Sequence, residues 1–313
     1  MLLPFRLAPA YKDYVWGGKK LRPQAEITAE AWVVYDQDLV LDGPYKGQTL
    51  AKVVDLEGTA LLGSKVVHLS GRRFPLLIKL LDCADWLSLQ VHPNNEQAKK
   101  LAGPNQFGKT EAWYVIGADQ GAQLISGFKP GVTRDGLQTT VGKKEMLDLV
   151  EHRSVKTGDT IFIAPGTIHA LGPGLLIYEV QQNSDLTYRV YDWDRPANDN
   201  RKLHLDESIQ VLNPEEKGEV KPYDEKEAAA PIKTLATSSY FSLTRLHGNK
   251  SVVKINTMGE SFAVITSINS TININGSDWS FKLDALETLF IPAECPPFEV
   301  AFEEKGSALL ARC

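Results

Sequence analysis

The residues best suited to chemistry alternate along a short apolar segment. Residues 87–93 read Leu-Ser-Leu-Gln-Val-His-Pro. Side chains of a β-strand point alternately to opposite faces, so Ser88, Gln90 and His92 would share one face. Such a face has to meet water, hydrogen-bond partners or a metal ion, because a buried polar group without a partner is costly. An ordinary solvent-facing strand explains the same pattern, so both interpretations stay open here.

Two further segments add groups of the same kind. Lys109 and Glu111 precede the apolar run Trp113–Ile116, and a glutamate beside a His/Gln face becomes a candidate oxygen ligand. Residues 158–169 read Gly-Asp, a four-residue apolar strand, Pro-Gly and finally His169. This spacing predicts that the histidine returns toward whatever the strand encloses. Imidazole and carboxylate groups together favour a metal site with nitrogen and oxygen ligands.

A third polar pattern occupies residues 179–195. Glu179 and Gln181 would share one strand face, and Arg189 lies between aromatic neighbours on the next predicted strand. A salt-bridged surface hairpin is the simpler explanation, and such ion pairs contribute little stability. The density of polar residues on strands otherwise suited to burial favours a functional pocket instead.

A mainly β fold has to position these groups, because short β-rich runs follow one another closely, as in an antiparallel sandwich or barrel. We predict strands at Ala31–Tyr35, Leu76–Leu81, Leu87–Val91, Trp113–Ile116, Thr160–Ile163, Leu175–Gln181, Tyr188–Tyr191, Phe262–Ile268, Ser270–Ile274 and Thr288–Ile291. Short helices are expected from Asn95, as the cap, to Leu101, within Thr133–Val150 and at Glu207–Leu212.

Composition limits the function classes. The chain has 313 residues with 34 Lys plus Arg against 39 Asp plus Glu, a formal net charge of −5, which argues against a nucleic-acid binder held by bulk positive charge. No apolar run reaches the ~20 residues of a membrane helix, and a secretory signal is not expected. Three scattered cysteines (Cys83, Cys295 and Cys313) suit neither a disulfide framework nor a thiolate metal site. We therefore expect a cytoplasmic protein with no membrane or nucleic-acid partner.

Taken together, the motifs resemble those of the type I phosphomannose isomerases of the cupin superfamily, most closely their short bacterial form. The similarity runs from Trp16-Gly17-Gly18 through LSLQVHP, GKTEAWYV and APGTIHALGPG to YEVQQNSDLTYRVYDWDR. Beyond residue 205 only the β-rich character supports it. The resemblance implies a zinc-dependent aldose–ketose isomerase that acts on mannose 6-phosphate and fructose 6-phosphate through a cis-enediol.

Site residues are implied where this sequence matches the family motifs. The ligands implied for one Zn²⁺ per chain are Gln90, His92, Glu111 and His169. The groups implied in catalysis are Lys79, Lys109 and Arg189, and those implied in phosphate binding are Ser88, Lys79 and Arg189. Cations around one pocket of an acidic protein suit a substrate that carries a phosphate. The candidate bases for proton transfer are Lys109, Glu179 and His92, of which His92 is the least free.

The resemblance also implies two cupin-like antiparallel β-barrel, or jelly-roll, domains with a few short helices. Thr160–Ile163 is echoed at Thr288–Ile291, although four matching residues are compatible with coincidence. We expect a metal-binding catalytic domain over residues 1–212, a charged connector over 213–231 and a C-terminal β domain without a metal site over 232–313. Residues 213–231 would equally suit a long solvated loop.

Alternative functions remain open from the sequence. The same chemistry could act on another sugar phosphate or a free sugar, since pocket shape decides that choice. An iron-dependent cupin dioxygenase would also use His and Glu ligands, and a non-catalytic sugar-binding cupin would bind without turnover. The partner expected is a small sugar phosphate, and the chain is expected to be a monomer or a weak homo-oligomer.

Overall fold

Strands make up most of the regular structure in the computed structural model, which describes residues 2–25, 27–196, 201–227 and 229–313. Up to residue 223 the strands are β1 (Ala10–Lys12), β2 (Glu30–Val34), β3 (Leu76–Cys83), β4 (Leu89–Val91), β5 (Glu111–Ala118), β6 (Gln123–Phe128), β7 (Val150–Ser154), β8 (Thr160–Ile163), β9 (His169–Leu171), β10 (Leu175–Gln182), β11 (Tyr188–Tyr191) and β12 (Glu219–Lys221). Beyond it they are β13 (Ile232–Thr237), β14 (Ser242–Gly248), β15 (Ser251–Ile255), β16 (Ala263–Ser267), β17 (Ile272–Asn275), β18 (Ser280–Leu283), β19 (Thr288–Ile291), β20 (Phe298–Phe302) and β21 (Gly306–Arg312).

Short helices lie between the strands. The α-helices are α1 (Leu50–Glu57), α2 (Thr59–Leu62), α3 (Ser64–Ser70), α4 (Asn95–Ala102), α5 (Arg134–Thr140) and α6 (Leu205–Val211). The 3₁₀ helices are Gly43–Tyr45, Lys144–Asp148 and Glu225–Glu227. Among the described residues, no helix is both long and apolar enough to cross a membrane.

The chain divides into two compact units. The first unit contains Met1–Ala10, Trp32–Lys79 and Asp224–Cys313, and the second contains Tyr11–Ala31 and Leu80–Tyr223. In the described chain the strand orders are β1-β2-β3-β10-β5-β8-β12, β11-β4-β9-β6-β7, β13-β14-β21-β16-β19 and β15-β20-β17-β18. Pairs such as β5 with β10 and β14 with β21 are antiparallel, and the predicted mainly β, antiparallel fold class is confirmed.

Alternation along the strands of the second unit separates an apolar face from a polar one. In β4, Leu89 and Val91 are fully buried in an apolar cluster that also holds Ile168 and Val190. Gln90, between them, points to the opposite face. A five-stranded sheet can therefore bury apolar groups on one side and present polar groups on the other.

In the first unit, an apolar cluster gathers side chains from β14 to β21. Ile265, Leu289 and Val300 are fully buried in it. β-branched and aromatic residues favour strands because their side chains pack well on a pleated surface. Burial of this apolar surface contributes to the stability of the unit.

Each of the ten strands predicted from the sequence overlaps an observed strand, and the other eleven strands of the described residues were not predicted. Thr160–Ile163, Tyr188–Tyr191 and Thr288–Ile291 are strands over the predicted residues. The strand predicted from Leu87 begins only at Leu89, and the helix cap predicted at Asn95 is wrong. Asn94 caps α4 instead, because its side chain accepts from the backbone N–H of Gln97 (2.9 Å), and the Gln97 side chain accepts in return from the Asn94 backbone N–H (3.0 Å).

Residues 50–70 form helices α1 to α3, which the sequence reading did not predict. Thr49 accepts a hydrogen bond from the backbone N–H of Lys52 and starts α1. Two glycines with positive φ, Gly58 and Gly63, interrupt the run and end α1 and α2. A residue other than glycine at position 63 would also meet the backbone of Glu260, since an added Cβ would lie 2.3 Å from its carbonyl oxygen.

Part of the predicted connector has regular structure. Glu219–Lys221, within residues 213–231, form β12 and pair with β8. Residue 228 of that stretch lies outside the described residues. The division into 1–212, 213–231 and 232–313 stays a prediction.

Candidate metal centre

Three neighbouring strands of the second unit bring polar side chains to one face. Gln90 on β4 lies opposite His169 on β9, and Arg189 on β11 lies opposite Gln90 on its other side. Residues directly opposite each other in antiparallel strands have neighbouring side chains on the same face. His92, two residues after Gln90, continues that face just beyond the end of β4.

A turn fixes His169 at the start of β9. Pro165 and Gly166 precede it, and Gly166 has a φ of +89° that glycine adopts without strain. The backbone N–H of Gly166 donates to the carbonyl of His92 at 2.9 Å. The turn therefore ties the chain before one histidine to the backbone of the other.

Glu111 comes to this site from a different sheet. It is the first residue of β5, where it lies opposite Gln181 on β10 and Ile163 on β8. Lys109 comes just before the strand, and its backbone N–H donates to the carbonyl of Pro93 at 2.9 Å.

The side chains of His92, Glu111 and His169 meet at one buried point. One ligand atom from each lies within 4.8 Å of the others. Nε2 of His92 is 3.3 Å from Oε1 of Glu111, and Nε2 of His169 is 3.7 Å from Oε2. All three residues are at most 1% exposed. A triad of two imidazoles and a carboxylate is a donor set that divalent transition metals bind.

The tautomers of the two histidines follow from their hydrogen bonds. Nδ1 of His92 lies 3.0 Å from the carbonyl of Leu186, and Nδ1 of His169 lies 2.9 Å from the carbonyl of Thr167. A carbonyl oxygen only accepts, so each Nδ1 carries the proton and each Nε2 presents a lone pair. The two Nε2 atoms are 3.1 Å apart. Histidines that bind a metal are held in this way by a partner on the other ring nitrogen.

Burial keeps both histidines neutral. It lowers the pKa of His92 to about 3, with Lys109 acting in the same direction and Glu111 opposing both. Burial also lowers the pKa of His169. Burial alone would raise the pKa of the Glu111 carboxyl, but that pKa lies well below its usual value, and the Lys109 ammonium is the leading cause of the lowering. Neutral imidazoles beside an ionised carboxylate are the protonation states that a metal requires.

Lys109 is the cation that these groups contact. Its Nζ lies 3.0 Å from Oε1 of Glu111 and 3.2 Å from Nε2 of His92, and the residue is 3% exposed. Gly108 makes this approach possible, since an added Cβ would lie 2.5 Å from the backbone of Asn94. Lys109 was predicted from the sequence as a site residue, and in the structure it contacts Glu111 and His92 of the candidate ligand cluster.

Trp113 connects Glu179 to the cluster. The two residues are cross-strand partners on β5 and β10, and Nε1 of Trp113 donates to Oε2 of Glu179 at 2.9 Å. The indole ring meets the His169 imidazole edge-on at 5.4 Å between centroids. Trp113 was not predicted as a site residue, although alternation along β5 places it on the same face as Glu111.

The loop after β11 holds Arg189. Its Nη1 donates to the carbonyl of Lys202 at 2.8 Å, and its backbone N–H donates to Nδ1 of His204 at 3.1 Å. Buried Asp192 binds the guanidinium groups of Arg195 and Arg201 in the same loop. Arg189 is thus held beside Gln90 while Asp192 and its arginines fasten the loop.

The two remaining predicted residues, Ser88 and Lys79, are also buried. Ser88 is 6% exposed and lies one residue before β4. Lys79 belongs to the first unit, is 5% exposed, and has its Nζ over the ring of Trp32 at 5.2 Å from the centroid. Their roles in phosphate binding, and that of Lys79 in catalysis, stay predictions.

Antiparallel sheets that bring two histidines and a glutamate together in their interior are typical of metal-dependent enzymes of the cupin class. The catalytic-domain model of phosphomannose isomerase type I matches residues 4–112. A mannose-6-phosphate isomerase of Streptococcus mutans is 39% identical over 224 residues, 68% of each chain. ManA of Bacillus subtilis, a mannose-6-phosphate isomerase, is 39% identical over 67% of this chain and 68% of that protein.

One solved structure has a similar fold over the full length of this chain. The crystal structure of the mannose 6-phosphate isomerase from Bacillus subtilis matches with a TM-score of 0.87 and 30% identity, covering 100% of both chains. The chain therefore belongs to the type I phosphomannose isomerase family. The resemblance identified from the motifs is confirmed.

Proposed function

We propose that this protein interconverts mannose 6-phosphate and fructose 6-phosphate, using one zinc ion, by proton transfer between C1 and C2 through a cis-enediol. The observation that carries the proposal is the pair of Nε2 lone pairs of His92 and His169, 3.1 Å apart beside the Glu111 carboxylate. Two imidazole nitrogens and a carboxylate that converge in this way form a donor set that divalent metals bind, and Lys109 contacts Glu111 and His92 of this set. The substrate is inferred from the names of the similar proteins, which are mannose-6-phosphate isomerases.

The donor set fits zinc. Zn²⁺ takes imidazole nitrogen and carboxylate oxygen and keeps an open position in catalytic sites. His92, Glu111 and His169 would supply three ligands, and Gln90, opposite His169 on the same face, would add its amide oxygen. When bound, the ion would act as a Lewis acid that stabilises negative charge developing on the sugar oxygens.

Glu179 is our candidate for the base. Its carboxylate is buried and oriented by Trp113, one side chain away from His169. It would take the proton from C2 of the aldose and return it to C1, while a second proton passes from the C2 hydroxyl oxygen to the C1 oxygen. The exchange neither adds nor removes atoms or electrons, so no redox partner is needed.

Cationic groups would bind and orient the substrate. Arg189 lies opposite Gln90, where its guanidinium can bind a phosphate or an enediolate oxygen. Lys109 contacts both Glu111 and His92, so it can set the charge around the ligands. Ser88 and Lys79 would complete the phosphate contacts.

A coupled assay tests the proposal. Mannose 6-phosphate is offered to the purified protein before chelation, after chelation, and after zinc add-back; glucose 6-phosphate and free mannose are offered in parallel. We expect turnover of mannose 6-phosphate that chelation abolishes and zinc restores. Turnover of free mannose but not of its phosphate would contradict the substrate, and full activity without metal would contradict the zinc site.

Location and assembly are also proposed. Cys83, Cys295 and Cys313 are free thiols in the structure, which supports a reducing, cytoplasmic compartment. A monomer or weak homo-oligomer remains our expectation for the assembly, and sedimentation of the purified protein would measure it.

A further inference from the structure

Gln181 is a buried polar residue beside the metal centre that the proposed chemistry does not use. It is 0% exposed and lies on β10 directly opposite Glu111 on β5. Opposite residues in an antiparallel pair keep their Cβ atoms within about 4.5–5.5 Å, on the same face of the sheet. Gln181 therefore shares the face of the ligand carboxylate, as does Glu179 two residues earlier.

The orientation of the Gln181 amide is fixed by its own turn. Nε2 donates to the carbonyl of Gln182 at 3.0 Å and to that of Ser184 at 2.6 Å. Rotating the amide by half a turn would place Oε1 against two carbonyl oxygens, which only accept. The nitrogen is thus committed to the turn, and Oε1 points away from both carbonyls.

Oε1 of Gln181 is buried and receives no hydrogen bond from any residue that the structure describes. A buried acceptor without a donor is costly, because it has lost its hydrogen bond to water and gained none in return. The adjacent Gln182, also buried, shows the contrast: its Oε1 accepts from the backbone N–H of Thr110 at 3.1 Å, and its Nε2 donates to Asn95 at 3.1 Å. The Gln182 amide therefore has both its oxygen and its nitrogen hydrogen-bonded within the fold, whereas among the described residues the Gln181 oxygen has no donor.

We propose that Gln181 is a further sugar-binding residue whose Oε1 accepts a hydrogen bond from a hydroxyl of the substrate at the metal centre. The inference rests on the proposed function, because a sugar phosphate is the ligand. A hydroxyl donor satisfies this oxygen, whereas an analogue without the hydroxyl leaves it unpaired. A site built in this way discriminates against the analogue that lacks the donor.

The test compares Gln181→Met with Gln182→Met. Methionine has a similar volume and no strong acceptor, and the control removes the satisfied glutamine next to it. Removing a hydrogen bond of this kind is expected to raise KM for mannose 6-phosphate and weaken its calorimetric Kd about tenfold with little change in kcat. Inhibition by inorganic phosphate, which has no sugar hydroxyl, and zinc content should match the wild type. Gln182→Met should lower the melting temperature and leave KM unchanged.

The outcomes separate the two proposals. If the wild type does not turn over mannose 6-phosphate, the proposed function fails, and the calorimetric Kd of that sugar phosphate still tests Gln181. If the wild type is active and Gln181→Met keeps its KM and Kd, the inference alone fails. Loss of zinc from Gln181→Met with unchanged sugar affinity would also overturn it, since the acceptor would then serve a metal-bound water.

A second variant guards against misfolding. Gln181→Asn keeps the amide but withdraws it by one methylene, so it too should lose sugar affinity at wild-type zinc content. Should Gln181→Met fail to fold, this variant decides: an unchanged Kd for mannose 6-phosphate would overturn the inference.

Discussion

Nε2 of His92 and Nε2 of His169 lie 3.1 Å apart, and the opposite nitrogen of each ring faces a backbone carbonyl. Those carbonyls, from Leu186 and Thr167, commit the ring protons to the outer side. Two lone pairs therefore converge beside Glu111 in a site with almost no exposure. The backbone, rather than the side chains alone, thus prepares this centre for a cation.

Metal removal is expected to destabilise the protein as well as stop turnover. The proposed ion would bind only the folded state, so saturating zinc at about a hundred times its Kd should add about 2.7 kcal/mol to the free energy of unfolding. Differential scanning calorimetry of chelated and zinc-loaded protein measures the effect. His169→Ala is the control, and its melting temperature should not respond to zinc. An equal rise in that variant would place the ion elsewhere.

Acidification is expected to destabilise the metal-free protein below pH about 6.5, the ordinary pKa of histidine. Burial lowers the pKa of His92 to about 3 and also lowers that of His169. Between these values the unfolded chain binds protons that the native state does not, so stability rises with pH and falls on acidification. Each fully buried histidine that stays neutral contributes up to about 1.4 kcal/mol per pH unit.

Urea unfolding at a series of pH values from 7.5 to 5 checks this, with chelator present throughout. His169→Gln removes one titrating group and should flatten the dependence. A stability that is constant or increases on acidification would contradict the expected sign.

Trp113→Phe should lower kcat while the fold persists. Phenylalanine keeps a ring beside His169 but loses the Nε1 donor that orients Glu179. A hydrogen bond to a charged group contributes about 1.5–3 kcal/mol, so kcat should fall by about tenfold or more if the carboxylate position matters to the reaction. Steady-state kinetics at saturating substrate measures kcat separately from KM.

Trp193→Phe is the matched control for that change. Its Nε1 donates to the backbone carbonyl of Leu87 at 2.7 Å, so the substitution removes an indole hydrogen bond of comparable length without touching Glu179. A lower melting temperature with wild-type kcat is expected. Equal losses of kcat in both variants would mean that Trp113 acts only through stability.

Sequence periodicity was enough to predict the polar faces of the site. Alternation placed Gln90 and His92 on one face, and the turn before His169 predicted its return. It could not give the tautomers, because the carbonyls of Thr167 and Leu186 depend on backbone positions that no side-chain pattern encodes. Trp113 lay on the face of Glu111, but an aromatic residue on a strand is usually part of a core.

Helices α1 to α3 were missed for a different reason. Residues 50–70 are rich in valine and leucine, which suit strands as well as helices. They form helices because Thr49 caps the start of α1 and because Gly58 and Gly63, which have positive φ, end α1 and α2. The capping residues therefore indicate these helices better than the valine and leucine content does. The same holds for Asn94, which caps α4.

Glu179→Gln in deuterated water tests the base directly. If Glu179 removes the C2 proton, the amide variant should lose turnover by about 10²–10⁴-fold. It should also lose exchange of the C2 hydrogen with solvent, as followed by proton NMR of mannose 6-phosphate. Zinc content should be unchanged, because Glu179 is outside the His92, Glu111 and His169 cluster. Solvent deuterium at C1 or C2 of the wild-type product would support the enediol, because a hydride shift incorporates none.

Lys109→Met tests whether Lys109, rather than Glu179, is the base. Lys109 contacts Glu111 and His92, so its loss should change zinc affinity and slow turnover. Solvent exchange at C2 should persist, however, because Glu179 keeps its orientation from Trp113. The reverse pattern, with exchange lost in Lys109→Met and kept in Glu179→Gln, would assign the proton transfer to the lysine. The two variants differ in this one readout because one group is tied to the metal ligands and the other to an indole on the neighbouring strand.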